Sequence, residues 1–243
     1  MHRFFIPPEW VQGEQARLEG SQARQLSLVL RARRGDHLVL LDNSGWEYHV
    51  EVSSFLNGSV QAKVLERRPA SPEPSVSITV YQGLLKGKKQ DWVFQKGTEV
   101  GVAAFVPLSC DRCVAVPSEE TGNQRWAAVI REAAEQCGRG RLPQILSPRS
   151  FNQACIEALR PCFLLSESPS APSFKEAIQK ALQGNPSSVS LFVGPEGGFA
   201  PQEVARAEEA GLLPVSLGRR VFRAETAGLI AAAMLLYECG ELG

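Results

Sequence analysis

Residues 189–201 read VSLFVGPEGGFAP, and this stretch indicates the class of fold. Val189–Val193 is a short, mostly apolar run, as expected for a strand that is buried on both faces of a sheet. Gly194–Phe199 supplies three glycines for a tight turn, and Pro201 suits the first turn of a helix. A strand, a glycine-rich turn and a helix in this order predict one βα unit of a parallel sheet.

The same alternation extends over the C-terminal two thirds of the chain. Strand-like runs occur at Val76–Gln82, Ala104–Leu108, Leu142–Leu146, Cys162–Leu165, Val189–Val193 and Pro214–Leu217. Helical patterns occur at Asp91–Val100, Asn123–Cys137, Phe151–Leu159, Ser173–Leu182, Pro201–Ala210 and Glu225–Cys239. Strands that alternate with helices in this way predict a mostly parallel sheet with helices on both faces.

The N-terminal part of the chain follows a different period. Apolar and polar residues alternate over residues 37–65, and the Asn-Gly pair at 57–58 is a strong hairpin signal. We therefore expect an antiparallel meander that forms part of a small barrel or sandwich. Residues 21–31 before it have helical spacing, with Leu26 and Val29 among the repeating apolar positions.

A proline-rich segment separates these two patterns. Pro69, Pro72 and Pro74 lie within six residues and have charged neighbours, which is typical of a stiff linker. We place the domain boundary here, with one domain over residues 1–70 and the other over residues 75–243. The length of 243 residues suits a small domain followed by a medium one.

The composition argues against several classes of protein. Lys+Arg and Asp+Glu both number 26, so the net charge is zero and nucleic acid must be bound through local basic patches. The longest apolar run, Ala227–Tyr237, is far shorter than the ~20 residues that a bilayer span needs. Met1–Trp10 lacks the apolar core of a signal peptide. These features predict a cytoplasmic protein with no membrane partner.

Metal chemistry is not predicted either. Cys110 and Cys113 form a lone CxxC pair among six cysteines, and His2, His37 and His49 all lie in the first quarter of the chain. A zinc site needs four ligands at suitable spacing. We therefore expect no metal and mostly buried, reduced thiols, with a redox or metal role for the CxxC pair as the less favoured alternative.

Two C-terminal loops are candidate ligand sites, because ligands of open α/β sheets bind at the carboxyl ends of strands. Gly194–Phe199 follows one strand, and Ser216–Thr226 follows the last strand and opens the last helix. The first loop matches neither GxGxxG nor a P-loop, so a pyrophosphate cradle is disfavoured. Each loop alone is compatible with an ordinary βα turn. Their places at strand ends of one sheet indicate a shared site.

Two basic segments are further candidates. Lys86–Glu99 begins with three lysines just before a helix, where cations and helix N–H groups attract phosphate. Glu132–Arg141 ends in a Gly-Arg-Gly-Arg loop. Spacing alone favours an exposed helix face for the first segment and a glycine-capped helix end for the second. The chain has no GxSxG or HExxH motif, which argues against Ser-His and zinc hydrolysis.

Taken together, these segments resemble those of the RsmE family of SPOUT methyltransferases. The resemblance covers nearly the whole chain. It rests on residues 24–36 (RQLSLVLRARRGD), 85–107, 125–139 (RWAAVIREAAEQCGR), 194–199 (GPEGGF) and 217–226 (LGRRVFRAET). Arg219-Arg220 stands where many members have Pro-Arg, and Phe222 stands where leucine is usual. Both departures concern the shape of the cofactor pocket.

The resemblance implies a fold and a function. The fold is α/β, with a SPOUT-type knotted parallel sheet over residues 75–243 after a small PUA-like, RNA-binding β-barrel domain over residues 1–70. The cofactor is S-adenosylmethionine, and the reaction is methylation of N3 of one uridine in 16S ribosomal RNA. The partners are 16S rRNA or the small ribosomal subunit and a second copy in a homodimer.

Three alternatives stay open at this point. One is a methyltransferase of the same fold that acts on another RNA, such as transfer RNA. Another is a non-catalytic RNA-binding assembly factor, which would not bind the methyl donor. The third is a nucleotide-dependent α/β enzyme, against which the missing P-loop lysine argues.

The positions of single residues and the chemistry of this reaction suggest their roles. The expected cofactor-binding residues are Leu165, Gly194, Pro195, Glu196, Gly197, Gly198, Leu217, Gly218, Phe222, Arg223 and Thr226. We expect Arg223 to stabilise negative charge on uracil as N3 loses its proton, and Glu225 to orient Arg223 or relay the proton. Glu196 is a weaker candidate base. The expected RNA contacts are Arg3, Arg24, Arg31, Lys86, Lys88, Lys89 and Arg139.

Overall fold

The structure is a computed structural model that describes residues 1–114, 121–168 and 170–242, with the backbone alone for residues 121–123. It consists of two compact units. The first unit contains Met1–Glu73 and Ala134–Leu142, and the second contains Pro74–Ala133 and Pro143–Gly243. The first unit therefore includes a second piece of chain, Ala134–Leu142. A single domain boundary at the proline-rich segment did not predict this.

The first unit is built on one sheet. Its strands are β1 (His2–Phe5), β2 (Val11–Gln12), β3 (Gln15–Leu18), β4 (His37–Leu41), β5 (Trp46–Leu56) and β6 (Ser59–Pro69). Their order within the described residues is β1-β4-β5-β6-β3-β2, and only β1 and β4 pair in parallel. The predicted meander is confirmed, because β4, β5 and β6 are consecutive antiparallel neighbours. Asn57 and Gly58 form its tight turn with φ of 47° and 76°.

The helix of the first unit differs from the prediction. α1 (Gly20–Arg24) runs into a π-helical turn over Gln25–Val29. Leu26 is fully buried, but Val29 is 72% exposed. The prediction that Leu26 and Val29 share one face is therefore wrong, because the wider turn rotates Val29 away from the core.

Both faces of the first sheet are covered by apolar contacts. On one face Leu18, Leu26, Leu38 and Val50 belong to the main core of the unit. On the other face Phe5, Val39 and Leu41 pack with Ala134, which belongs to the second piece of chain. This packing explains why Ala134–Leu142 belongs to the first unit, although about sixty residues separate it from Glu73 in sequence.

The second unit alternates strands with helices, as predicted. Its strands are β7 (Ser77–Gly83), β8 (Ala104–Ser109), β9 (Gln144–Ile145), β10 (Arg149–Ser150), β11 (Cys162–Leu165), β12 (Ser188–Val193) and β13 (Leu213–Val215). Its helices are α2 (Lys89–Val100), α3 (Thr121–Cys137, which ends in the first unit), α4 (Phe151–Glu157), α5 (Phe174–Leu182), α6 (Pro201–Glu209) and α7 (Ala224–Glu238). The sequence did not indicate β10, which is polar and two residues long.

Every strand pair of the second unit that the described residues form is parallel. The strand order is β10-β8-β7-β12-β11-β13, and β9 pairs with β8. Helices α2, α5 and α7 form one layer, and α4 and α6 pack together on the opposite layer. The central strands are buried runs such as LFV at the end of β12, so the predicted parallel α/β sheet is confirmed.

A parallel sheet brings the ends of its strands to one edge, and here that edge gathers several loops. The chain leaves β7 at Gly83, β8 at Ser109, β11 at Leu165, β12 at Val193 and β13 at Val215. Within the described residues, no helix is long and apolar enough to cross a membrane.

Candidate active site

A cleft of about 1070 Å³ lies at this edge of the second unit. Most of its lining comes from three loops, which follow β11, β12 and β13. Ten of the eleven residues that were predicted to bind cofactor line the cleft: Leu165, Gly194, Pro195, Glu196, Gly197, Gly198, Leu217, Gly218, Phe222 and Arg223. Thr226 does not line it; this residue lies in the first turn of α7, where its backbone N–H donates to the Arg223 carbonyl.

The loop after β12 folds back on itself. The N–H of Gly198 donates to the carbonyl of Pro195 at 2.9 Å, and Gly198 has a φ of 66°. A Cβ at Gly194 would lie 3.1 Å from Gly198, so a side chain there would crowd the turn. The loop therefore presents mostly backbone to the cleft. We call residues 194–199 the glycine loop.

Two neighbouring residues at the end of β7, Gln82 and Gly83, contact the glycine loop and fix its position. Gly83 lies against Pro195, and a Cβ at Gly83 would be only 2.5 Å from the Pro195 nitrogen. The buried Gln82 donates from Nε2 to the Gly194 carbonyl at 3.4 Å. The Gln82 Oε1 atom has no hydrogen-bond partner within the described residues. Neither residue was predicted from the sequence, since its role depends on a contact with a loop more than a hundred positions away.

Glu196 ties the glycine loop to the segment before α2. Its carboxylate accepts a hydrogen bond from Lys89 Nζ at 3.0 Å and one from the Lys86 backbone N–H at 3.2 Å. Burial raises the pKa of Glu196, but these hydrogen bonds and the Lys89 charge outweigh it, so the net pKa is lowered. The carboxylate is thus held ionised in a structural contact, which makes it a poor general base. Lys86 and Lys88 remain exposed.

Arg112, which was not predicted from the sequence, supports the glycine loop from the other side. Its guanidinium donates to the Gly197 carbonyl at 2.9 Å, and it lines the cleft. A Cβ at Gly197 would lie 3.2 Å from the Arg112 Cβ. The available signal was a basic residue three positions after the end of β8, at the same sheet edge as the other loops.

The CxxC pair flanks Arg112. The hydrogen bond between the two thiols is the largest cause that lowers the pKa of Cys113 to about 7, and it raises the pKa of Cys110 together with burial. All six cysteines are free thiols. Within the described residues, no group of three or more His, Cys, Asp or Glu side chains is arranged to hold a metal. The pair shapes the turn that carries Arg112.

The loops after β11 and β13 are joined by backbone hydrogen bonds. The N–H of Ser216 donates to the Pro172 carbonyl at 2.9 Å, and the N–H of Phe174 donates to the Ser216 carbonyl at 3.0 Å. Gly218 follows with a φ of 114°, a conformation that side chains rarely adopt. Its N–H donates to the Ser216 hydroxyl at 3.2 Å. These contacts fix the far wall of the cleft.

Arg223 and Glu225 stand where this wall meets α7. Arg223 is the N-cap of the helix, and its side chain is 85% exposed. Glu225 is in the first turn, as predicted, and its side chain is only 14% exposed. The two groups are 4.0 Å apart, and the buried Oε2 of Glu225 has no partner within the described residues. The pair presents a free cation with a carboxylate behind it, an arrangement suited to stabilising negative charge on a ligand.

The other predicted RNA contacts fall into two groups. Arg24 and Arg31 are exposed on the first unit. Arg3 donates to the buried Glu47 at 2.8 Å and is 18% exposed, and Arg139 pairs with Glu73 and is 11% exposed. Both guanidinium groups thus serve structural ion pairs. Their RNA-binding role stays a prediction.

Glu47 is the centre of the first of these ion-pair clusters. Burial raises its pKa, but hydrogen bonds from His49, Arg68 and Arg3 outweigh burial and bring the pKa from 4.5 to about 2. The carboxylate is therefore ionised at neutral pH and balances the cations around it. This cluster stabilises the first unit.

Comparisons with known proteins agree with this geometry. A family model described as RNA methyltransferase domain matches residues 71–236. The chain is 30% identical to ribosomal RNA small subunit methyltransferase E of Bacillus subtilis, over 98% of this chain and 97% of that protein. It is 31% identical to the protein of the same name from Synechocystis, over 96% of this chain and 77% of the relative.

A solved structure is also similar over nearly its whole length. It is a ribosomal RNA small subunit methyltransferase E from Neisseria gonorrhoeae bound to S-adenosylmethionine. The TM-score is 0.87 at 28% sequence identity, with 98% of each chain covered. The family model covers residues 71–236, and the Bacillus subtilis relative matches nearly the full chain. The chain therefore belongs to the RsmE family of RNA methyltransferases.

Proposed function

We propose that this chain transfers a methyl group from S-adenosylmethionine to N3 of one uridine in 16S ribosomal RNA of the small subunit. The observation that carries the proposal is the cleft itself. It combines a backbone-lined glycine loop with an exposed arginine, Arg223, at its wall. The relatives from Bacillus subtilis and Synechocystis are named as small-subunit rRNA methyltransferases, and the Neisseria gonorrhoeae structure binds S-adenosylmethionine.

The residues of the cleft fit this methyl donor. The volume of about 1070 Å³ lies just above the ~300–1,000 Å³ range of small-molecule sites. Gly194 and Gly197 keep side chains out of the glycine loop, so its N–H and C=O groups can approach a flat ring. Leu165, Leu217 and Phe222 supply apolar surface. When bound, the donor supplies a methyl group that its sulfonium sulfur already activates.

The protein must prepare the acceptor, because N3 of uracil carries a proton at neutral pH. The exposed guanidinium of Arg223 binds the uracil oxygens and stabilises the negative charge that develops as N3 loses that proton. Glu225 orients the guanidinium through Oε1 and relays the proton that N3 loses to solvent. The three loops fix the relative position of donor and acceptor, which is the other main contribution to rate.

The two units divide these tasks. We propose a PUA-like barrel over residues 1–70, which binds RNA, and a methyltransferase domain over residues 75–243. A largely antiparallel sheet with exposed Arg24 and Arg31 supports the first assignment. Exposed Lys86 and Lys88 next to the glycine loop are the phosphate contacts of the second. Because the substrate is ribosomal RNA, the enzyme acts in the cytoplasm.

A trefoil knot is part of the proposal. After β13 at the edge of the sheet, α7 returns to pack on the central strands β12 and β7. On the way, the chain at Ser216 runs against Pro172 and Phe174 of the loop after β11 and is hydrogen-bonded to both. This course suits a chain threaded through a loop, although chains rarely do so.

A homodimer is also part of the proposal. α7 is apolar on all sides, and the half-buried Leu229, Ile230 and Met234 leave part of it without cover in a single chain. Tyr237 on the same helix is 67% exposed. An apolar helix of this kind is stable in water when a partner buries it. We propose that a second copy does so.

Primer extension on ribosomal RNA tests the proposed function. A methyl group on N3 blocks the Watson–Crick edge, so reverse transcriptase should stop at one uridine of 16S rRNA from normal cells. The stop should vanish in cells without the protein and return with the wild-type gene, but not with an Arg223→Ala gene. A stop in another RNA class, or no change in any stop, would reject the proposal.

A further inference from the structure

The π-helical turn in the first unit exposes two large aliphatic side chains. Leu28 and Val29 are 74% and 72% exposed, whereas Leu26 is fully buried. The Leu30 N–H bonds to the Gln25 carbonyl at 2.9 Å, a spacing of five residues that widens the helix. A regular helix would have carried Val29 back toward the core. Wide turns of this kind are frequent at functional sites, so the exposed pair calls for a functional explanation.

Four arginines lie close to the exposed pair in sequence, and one of them, Arg24, lines a shallow groove together with Leu28 and Val29. Arg24, Arg31, Arg33 and Arg34 are all exposed, and within the described residues none of their side chains forms a salt bridge. Arg31 has a φ of 51°, where glycine is the usual residue. Because the whole chain has a net charge of zero, this concentration of positive charge is a local feature. We call the six residues, Leu28, Val29 and the four arginines, the wedge patch.

We propose that Leu28 and Val29 form an apolar wedge that packs against unstacked bases of the substrate RNA, while the arginines of the wedge patch bind the neighbouring phosphates. The inference rests on the proposed function, because it takes the RNA substrate as the partner. Single-stranded RNA offers flat apolar base faces and phosphates within a few ångströms of each other, which matches the patch. Leucine is among the side chains that act as wedges between bases in nucleic-acid complexes.

Other occupants fit the patch less well. A second copy of the same patch would bring four more arginines to the interface, and like charges would repel. A membrane would contact only two aliphatic side chains, which is far less apolar surface than an amphipathic anchoring helix offers. The experiment below distinguishes a second copy and a membrane from RNA as the partner.

Binding of a short fluorescein-labelled single-stranded RNA, followed by anisotropy at several salt concentrations, tests the wedge. The double variant Leu28→Ala/Val29→Ala should bind about tenfold more weakly, since apolar contact area is lost. The dependence of affinity on salt should not change, because no phosphate contact is removed. Arg33→Gln should also weaken binding, but it should reduce the salt slope by about 0.7, the value of one phosphate contact on a single strand.

Leu56→Ala is the matched control, because Leu56 is 56% exposed on β5 of the same unit and lies outside the wedge patch. It should leave RNA affinity unchanged. The inference would be overturned if the double variant bound RNA with wild-type affinity. It would also be overturned if the double variant reduced the salt dependence of binding as Arg33→Gln does. Binding of wild-type protein to vesicles of anionic lipid, or self-association, that the double variant abolishes would overturn it too.

The test separates this inference from the proposed function. If the wild-type protein transfers no methyl group to 16S rRNA but the RNA affinities follow the expected pattern, the proposed function fails and the wedge stands. If methylation proceeds but the double variant binds RNA normally, the wedge alone fails.

Discussion

Substitution of Gly83 by alanine should displace the glycine loop that forms the floor of the cofactor cleft. Gly83 ends β7, and an added Cβ would lie 2.5 Å from the Pro195 nitrogen and 2.8 Å from the Gly194 carbonyl carbon. Ordinary contact for a Cβ begins near 3.4 Å, so Pro195 must retreat by about 0.9 Å, the difference between the two distances. Both clashing atoms are backbone and therefore cannot swing aside.

This displacement has three measurable consequences. Overpacking of this kind lowers the free energy of unfolding by about 1–3 kcal/mol, which a thermal unfolding curve detects. A site that is misplaced by about 1 Å loses on the order of 100-fold in catalytic efficiency, so methyl transfer to RNA should fall by that factor. Isothermal titration calorimetry should show weaker S-adenosylmethionine binding, since the loop that contacts the donor has moved.

Gly184→Ala is the matched control. Gly184 lies in the same unit after α5, and the nearest atom to an added Cβ is the Ala181 carbonyl oxygen at 3.5 Å, an ordinary contact. This variant should bind the donor like the wild type. If Gly83→Ala also binds S-adenosylmethionine with wild-type affinity, residues 194–199 do not form the donor site and the reasoning is refuted.

Three further predictions concern single side chains. Arg223→Ala should lower kcat/KM for RNA by about 100- to 1000-fold at an unchanged unfolding temperature, because it removes a charge-stabilising donor that is 85% exposed. Arg206→Ala on α6 removes an exposed arginine elsewhere and should not change the rate. Glu47 has a folded pKa of about 2, below its ordinary 4.5, so its stabilisation is complete above pH 4.5 and is lost as pH falls through 2. Denaturant titrations over this pH range should show that the wild-type protein loses about 3 kcal/mol of unfolding free energy and that Glu47→Gln does not. Equal pH profiles for the two proteins would contradict this prediction. Glu196→Gln breaks the ion pair with Lys89 and should weaken donor binding by less than about tenfold, measured by calorimetry, because the pair is partly exposed.

The parallel sheet could be predicted because its signals are local. β12 is a buried run followed at once by the glycine loop and by Pro201 at the start of α6. The pattern alone gave Gly194–Phe199 as a turn that was suited to a ligand. Resemblance to a family was needed to connect it with a methyl donor.

The rest could not be predicted because it depends on contacts between distant parts of the chain. Arg112 and Gly83 matter through contacts with Gly197 and Pro195, which are distant from them in sequence. The exposure of Val29 depends on one widened turn, which apolar periodicity cannot reveal. Ala134 joins the first unit by packing on β1 and β4, far from the linker that marks the boundary.

The central claim is that this cleft methylates N3 of a uridine in 16S rRNA. It is tested most directly by incubating the purified protein and S-adenosylmethionine with small ribosomal subunits from cells that lack the protein. The rRNA is then digested and its nucleosides are identified by mass spectrometry. We expect 3-methyluridine to appear with the wild-type protein and not with Arg223→Ala. A methyl group on another atom or another nucleoside, or none at all, would contradict the claim.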